Sequence, residues 1–433
     1  MTATALGITA LLFGALALGM PVAFALLVAG AVGLWLVGGY HPLMGVLKLG
    51  PYEAVASFTL STIPMFILMA EFLTASAFTR DVFTAAHKWL SHRRGGLAYA
   101  AVAGGVILAA ISGSSSASAA TLSGAAYPEM RRYGYRDSFA TGVLAVVGTL
   151  AIMIPPSIAL VLFGVLTETS VGKLLIAGLV PGMLTALGYA LVINLVVRLD
   201  PESAPRTLRP FPWRERIEVL ATVWPVMLLL VVVVALIYGG IATPTEVGAL
   251  GASAALVIAV VMGRIRRADF VQAVLNATRN SAMILLIIAM AVLFGVFLTL
   301  TGAPQKLLGA IQASGVPPWL VLVMILAVLL VLGCFMDQLA ILVLTLPLTM
   351  PILLAQGYDP VWIGVIYVKT AEIGLVTPPL GLNSFIVSST TGVPIGRVFR
   401  GIWPFVLVDL LILAVLVAVP EISLFLPGLS TAK

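Results

Sequence analysis

The chain has 433 residues, 61% of them hydrophobic and only 9% charged, with a mean hydropathy of +1.15. Soluble domains carry roughly 25% charged residues, so this composition excludes a soluble fold and indicates an all-α polytopic membrane protein. The net charge of +6 comes without any dense basic patch, which excludes a nucleic-acid footprint, and the single cysteine, Cys334, excludes internal disulfides and thiol-rich metal sites.

Taken in order, the N-terminus lacks a basic region and runs straight into apolar sequence, so no cleavable signal peptide is expected. Spans are predicted at 4–18, 21–39, 57–79, 138–166 and 171–197, then at 220–238, 245–262, 281–301, 362–390 and 401–426. The first two are kept separate because the counterpart of the first, 220–238, is full length. His41, His87 and His92 lie outside the apolar segments. Between the halves lies a polar, proline-rich linker, Arg198 to Arg216.

The halves are an internal repeat. At a constant offset of 223, Pro21 meets Pro244, Pro128 meets Pro351, Gly134-Tyr135 meets Gly357-Tyr358, Pro155-Pro156 meets Pro378-Pro379, and Gly178 and Pro181 meet Gly401 and Pro404. The predicted organisation is repeat 1 over 1–200, a cytoplasmic linker over 201–219 and repeat 2 over 220–433.

Lys and Arg orient the chain. The clusters Arg80/Lys88/Arg93/Arg94, Arg131/Arg132/Arg136, Arg198/Arg206/Arg209/Arg214/Arg216, Arg264/Arg266/Arg267/Arg279 and Arg397/Arg400 hold 18 of the 23 basic residues. With all five inside, the segment 95–128 enters and leaves on one side and is a re-entrant hairpin. Its mate, 319–355, is flanked by almost no basic residues and reads as a hairpin from outside. The outer surface is left with few basic residues, Lys48, Lys173, Lys306 and Lys433. The repeats are therefore predicted to be inverted, each with about five spans, one hairpin and one broken helix (138–166 and 362–390). Inverted repeats with interrupted helices meeting at the midplane are a transporter architecture.

Five serines and a threonine crowd the first tip, Ser112 to Thr121; its mate runs from Gly333 to Ala340, and the offset sets Ser114 against Asp337. Irregular, polar backbone at membrane depth is tolerated only against protein or water. Serines in membrane helices also serve close packing, and Asp337 can simply cap the second hairpin helix. The paired prolines Pro155-Pro156 and Pro378-Pro379 break their spans and free carbonyls near Gly148 to Ile154 and Ala371 to Thr377. A sodium ion can take up such carbonyls. One sodium site is predicted from Ser112, Ser115, Gly148 and Ala151; its mate from Gly333, Asp337, Gly374 and Thr377. A half-helix N-terminus facing the gap favours an anion, and no arginine is at hand to clamp one. Lys369 and Glu372 read as a buried ion pair; Glu71 and Asp409 are intramembrane acids without an evident partner. No cofactor is expected beyond the coupling ion.

Together, the stretches "GSSSASAATLSGAAYPEMRRYGY", "GTLAIMIPPS", "TPTE" and "VTPPLGLN" resemble the large membrane (permease) subunit of tripartite ATP-independent periplasmic (TRAP) transporters, in the ion transporter superfamily. The resemblance covers nearly the whole chain and departs at Ala151, where the family usually carries glycine. It implies Na⁺-driven import of organic acids such as C4-dicarboxylates or sialic acid by an elevator motion in the bacterial inner membrane, and the carboxylate substrate is then expected between the tips, near Ser114, Ser116 and Asn383. It also implies two partners, a small four-helix membrane subunit and a periplasmic substrate-binding protein. A channel does not account for two polar tips meeting from opposite faces. An enzyme is disfavoured because the spans lack His, Cys and paired catalytic carboxylates. A stand-alone anion carrier of the same superfamily remains the alternative.

Overall fold

The computed structural model describes residues 3–204 and 210–430, all helix and connecting loop, with no strand among them. Arg206, Arg209 and Lys433 lie outside the described residues. Both halves run through the same order of elements. Repeat 1 has Ala3–Ala17, Val22–Gly38, Tyr40–Val55, Thr62–Ala75, an arm Phe78–Leu90, the hairpin Gly96–Ser112 and Ser115–Arg132, the broken span Asp137–Met153 and Ile158–Thr167, and Val171–Leu199. Repeat 2 has Trp213–Tyr238, Pro244–Val261, Arg267–Leu300, an arm Ala303–Ala313, the hairpin Pro318–Gly333 and Gln338–Ala355, the broken span Pro360–Val376 and Leu382–Thr391, and Ile395–Ala418, followed by Glu421–Leu429.

Seven described helices are long and apolar enough to cross a membrane, and the pair Asp137–Met153 and Ile158–Thr167, bent by 41°, adds an eighth. The helices Ala3–Ala17 and Val22–Gly38 are separate, as expected, but have only 15 and 17 residues. Four boundaries differ by more than five residues from the hydropathy reading, one of them the start of the span expected at 220–238, which lies at Trp213. The span expected at 281–301 starts at Arg267, because its first turns carry Arg, Gln and Asn that hydropathy discounts. The span expected at 401–426 starts at Ile395 and stops at Ala418, before Pro420. Tyr40–Val55 is an additional helix with no fully buried residue; it packs on Arg267–Leu300 and matches, in repeat 1, the polar first part of that helix.

Packing is reciprocal between the repeats. Val22–Gly38 lies on Arg267–Leu300, and Pro244–Val261 lies on Thr62–Ala75. Small residues allow both approaches: a Cβ on Gly33 would stand 2.5 Å from the Phe297 ring, and one on Gly251 would stand 2.6 Å from the Met69 sulfur. These helices form one body. In the other, Ser115–Arg132 packs on Leu382–Thr391 while Gln338–Ala355 packs on Ile158–Thr167, and Asp137–Met153 packs on Ile395–Ala418. Each hairpin thus leans on the broken span of the opposite repeat.

Ion pairs join the basic clusters into a single face. Arg264 pairs with Asp81, Lys88 lies 3.6 Å from Glu215, Arg136 pairs with Asp200, and Arg397 lies 3.2 Å from Asp137. The base of the first hairpin closes on this face, where the Leu97 amide donates to the Tyr135 hydroxyl at 3.1 Å. The second hairpin is based on the opposite face. Ile395–Ala418 leaves the basic face at Arg397, and nineteen residues later, roughly 28 Å along the helix, Leu416 O accepts from Trp362 Nε1 at 2.9 Å. Trp362 is in the first turn after the second hairpin. The two repeats are inverted.

Cysteines substituted for Arg94 and Arg131 are therefore expected to react with a membrane-impermeant maleimide from the cytoplasmic side, and one at Pro317 from outside. Labelling of Arg94→Cys and Arg131→Cys from opposite sides would contradict the re-entrant geometry.

Candidate functional site

Both tips reach one cavity of about 610 Å³ at the junction of the two bodies. The first tip contributes Ser112 to Ala117, the second Asp337 and Gln338, the broken span of repeat 2 Leu382, and the facing body Glu71, Thr74 and Asn280. The wall mixes hydroxyl, amide and carboxylate groups with apolar side chains, and no basic side chain lines it among the described residues.

At the first tip, Gly113 ends one hairpin helix with φ +57°, a turn that glycine adopts without a Cβ clash. Ser114 caps the next helix, its hydroxyl accepting from the Ala117 amide at 3.5 Å and lying 3.2 Å from Ser116 Oγ. Ser112 Oγ donates to Ser114 O at 3.1 Å and bonds Ser118 Oγ. The tip packs against its own broken span: a Cβ at Gly148 would lie 2.7 Å from Ala119 Cβ, and one at Gly113 would lie 3.0 Å from Pro156 O. Ala151, one turn beyond Gly148, is fully buried. Ser115, expected beside these carbonyls, is also bonded across the repeats, because Asn383 Nδ2 donates to Ser115 Oγ. Asn383 is fully buried and its Oδ1 has no partner.

At the second tip, Gly333 and Gly374 bring two backbones together. A Cβ on either would fall within 2.8 Å of the other's Cα. Cys334 O accepts from the Gly381 amide at 3.1 Å, which fastens the tip to the break. Asp337 caps Gln338–Ala355 by accepting from the Leu339 amide at 3.1 Å, so it serves as a helix cap and also faces the cavity. The Thr377 hydroxyl is turned back onto Ile373 O at 2.6 Å.

The helix ends give these tips their electrostatics. Four helices stop here with carbonyls beyond the reach of their own ladders, at Ser112, Met153, Gly333 and Val376. Four start here, at Ser115, Ile158, Gln338 and Leu382. The carbonyl ends favour a cation and the amide ends an anion. Leu382–Thr391 starts after Gly381, which has no side chain to cap its first amides. Hydroxyls and carbonyls are hard neutral oxygen donors that fit Na⁺. No group of three His, Cys, Asp or Glu able to hold a metal occurs among the described residues.

Two acids left unpaired by sequence have partners. Glu71 accepts from Asn276 and Asn280 of the facing helix, each at 3.3 Å. Asp409 accepts from Lys369 Nζ and from the Tyr189 hydroxyl, both at 2.7 Å. The ion pair expected between Lys369 and Glu372 is the looser one, at 3.5 Å. Asn280 and Gln338 were not singled out from sequence. Asn276 and Asn280, four residues apart on one apolar helix, were the available signal.

Residues 9–422 match the family described as the tripartite ATP-independent periplasmic transporter, DctM component. The chain is 37% identical over 378 residues to the C4-dicarboxylate TRAP transporter large permease protein DctM of Pseudomonas aeruginosa, covering 87% of this chain and 88% of that one. It is 33% identical over 428 residues to the isethionate TRAP transporter permease protein DctMQ of Oleidesulfovibrio alaskensis, covering 96% of this chain and 66% of that one. The crystal structure of the YdaH transporter of Alcanivorax borkumensis superposes with a TM-score of 0.66 over 94% of this chain and 98% of that one, at 15% identity, and so shares the fold. With hairpins, broken spans and matched sequence in agreement, the chain belongs to the DctM family of TRAP transporters and is a multi-pass large permease subunit, not an enzyme.

Proposed function

We propose that this subunit imports a small organic acid, a carboxylate, by Na⁺ symport across the bacterial inner membrane. A periplasmic binding protein delivers the substrate, and a small four-helix membrane subunit braces the scaffold. The observation that carries this reading is the meeting at one cavity, fed by both repeats, of the four helix amide ends at Ser115, Ile158, Gln338 and Leu382 with the carbonyl end at Ser112, the carbonyl ends at Met153, Gly333 and Val376 lying outside its lining. The carbonyl ends with Ser112, Ser115, Gly148 and Ala151, and with Gly333, Asp337, Gly374 and Thr377, suit sodium. The uncapped amides at Leu382 and the groups of Ser114, Ser116 and Asn383 suit a carboxylate. The relatives' substrates, a C4-dicarboxylate and isethionate, are both small organic anions, and the tripartite family supplies the partners.

Transport takes the form of an elevator, with the hairpin body sliding on the other and carrying the cavity. The division into two bodies, with the cavity at their junction, supports that motion. Each net charge imported gains roughly 2.3 kcal/mol per 100 mV. Neutral oxygen ligands hold sodium without trapping it. Ser115→Ala and Thr377→Val are expected to raise the Na⁺ concentration for half-maximal uptake several-fold, measured with radiolabelled substrate. Unchanged Na⁺ dependence in both would remove these residues from the sites.

A further inference from the structure

The repeat offset of 223 that relates the tips also relates Thr149 to Glu372. These equivalent residues face each other where Asp137–Met153 packs on Pro360–Val376, so they sit on the pseudo-two-fold axis. The axis runs between the two sets of tip carbonyls: Thr149 follows Gly148, and Glu372 precedes Gly374. One repeat places a hydroxyl there and the other a carboxylate.

The charges around this point do not balance. Lys369, Glu372 and Asp409 are 0–1% exposed, and they comprise one cation and two carboxylates. Asp409 is satisfied, with Lys369 on one oxygen and Tyr189 on the other at 2.7 Å each. Tyr189 continues to Thr149 Oγ1 at 3.2 Å, which leads back to the axis. Glu372 has only looser partners: Lys369 Nζ, already 2.7 Å from Asp409, lies 3.5 Å from its Oε1, and Thr149 faces it across the axis. One ammonium against two buried carboxylates leaves an excess negative charge, which is costly. Glu372 is not among the residues that line the cavity, so it is not a ligand to the substrate there.

We propose that Glu372 is the buried counter-charge for the sodium ion of the first site: it does not contact the ion, and its charge is neutralised by sodium held among the neutral oxygens of Ser112, Ser115, Gly148 and Ala151, beside Thr149. The inference rests on the Na⁺-coupling reading above and adds a residue to it. The second site carries its own carboxylate, Asp337; the first has only uncharged oxygens, and Glu372 supplies the negative charge it lacks.

Removing the charge at constant shape tests this. The full-length protein is purified, and its thermal stabilisation is titrated with NaCl against a constant total of NaCl and choline chloride. Glu372→Gln is expected to raise the half-saturating Na⁺ concentration roughly tenfold or more, the order of effect for losing a nearby buried unit charge at low effective dielectric. Glu372→Asp, which keeps the charge, is expected to stay close to the wild type. If the glutamine variant fails to fold, Glu372→Thr, which restores the residue of the other repeat, carries the same expectation. A wild-type Na⁺ response that is unchanged in Glu372→Gln or Glu372→Thr overturns the counter-charge role and leaves Na⁺ coupling standing. A wild type with no Na⁺-specific response overturns the coupling reading and this role with it.

Discussion

Lys369→Met is expected to destabilise the protein by about 3–5 kcal/mol, the range for removing one partner from a buried ion pair. Lys369 is fully buried and is the cation that both Asp409 and Glu372 face. Methionine fills its volume, so the loss comes from two stranded carboxylates and not from a cavity. Asp409 also anchors Tyr189, and through it the helices Asp137–Met153 and Val171–Leu199. The double variant Lys369→Met/Asp409→Asn keeps an acceptor for Tyr189 and removes one stranded charge. It is expected to recover only part of the loss, because Glu372 is still left without a cation. Thermal unfolding in detergent, followed by tryptophan fluorescence, checks both variants. A single variant as stable as the wild type would mean that Lys369 does not balance this cluster.

This network also shows where sequence reading stops. Lys369 and Glu372 are three residues apart on one helix, so their pairing was legible from spacing alone. Asp409 lies 40 residues further on and Tyr189 comes from the other repeat. Only the packing of Val171–Leu199 on Ile395–Ala418 brings them together. Glu71 is similar: as an intramembrane acid it stood out, but its amide partners are 205 and 209 residues away. The first hairpin was legible because charge marks its base on both sides, and the ion pairs that join the basic clusters agree with that reading. Tyr40–Val55 was not, because a helix with no buried face and an internal proline carries little apolar signal. The tips were legible as the polar points of the two hairpins, and both reach one cavity. Their internal wiring was not. The bond from Asn383 to Ser115 joins a residue expected at the substrate to one expected at sodium, across 268 positions, and follows from the crossing of each hairpin onto the other repeat's broken span.

The cavity composition bears on partners. Its polar groups are mostly hydroxyls and amides, with two carboxylates and no arginine or lysine. Such a site lacks the bidentate, charge-assisted bonds that give strong carboxylate recognition. On the proposed function, affinity for a free acid is expected to be weak, with tight capture falling to a soluble protein that presents the acid at the outer face. Uptake of a radiolabelled carboxylate into proteoliposomes under an inward Na⁺ gradient tests this claim most directly. The purified chain alone is expected to give uptake indistinguishable from empty liposomes, and robust uptake only after both the small membrane subunit and the loaded binding protein are added. Robust Na⁺-driven uptake of the free acid by this chain alone would contradict the account and identify a stand-alone carrier.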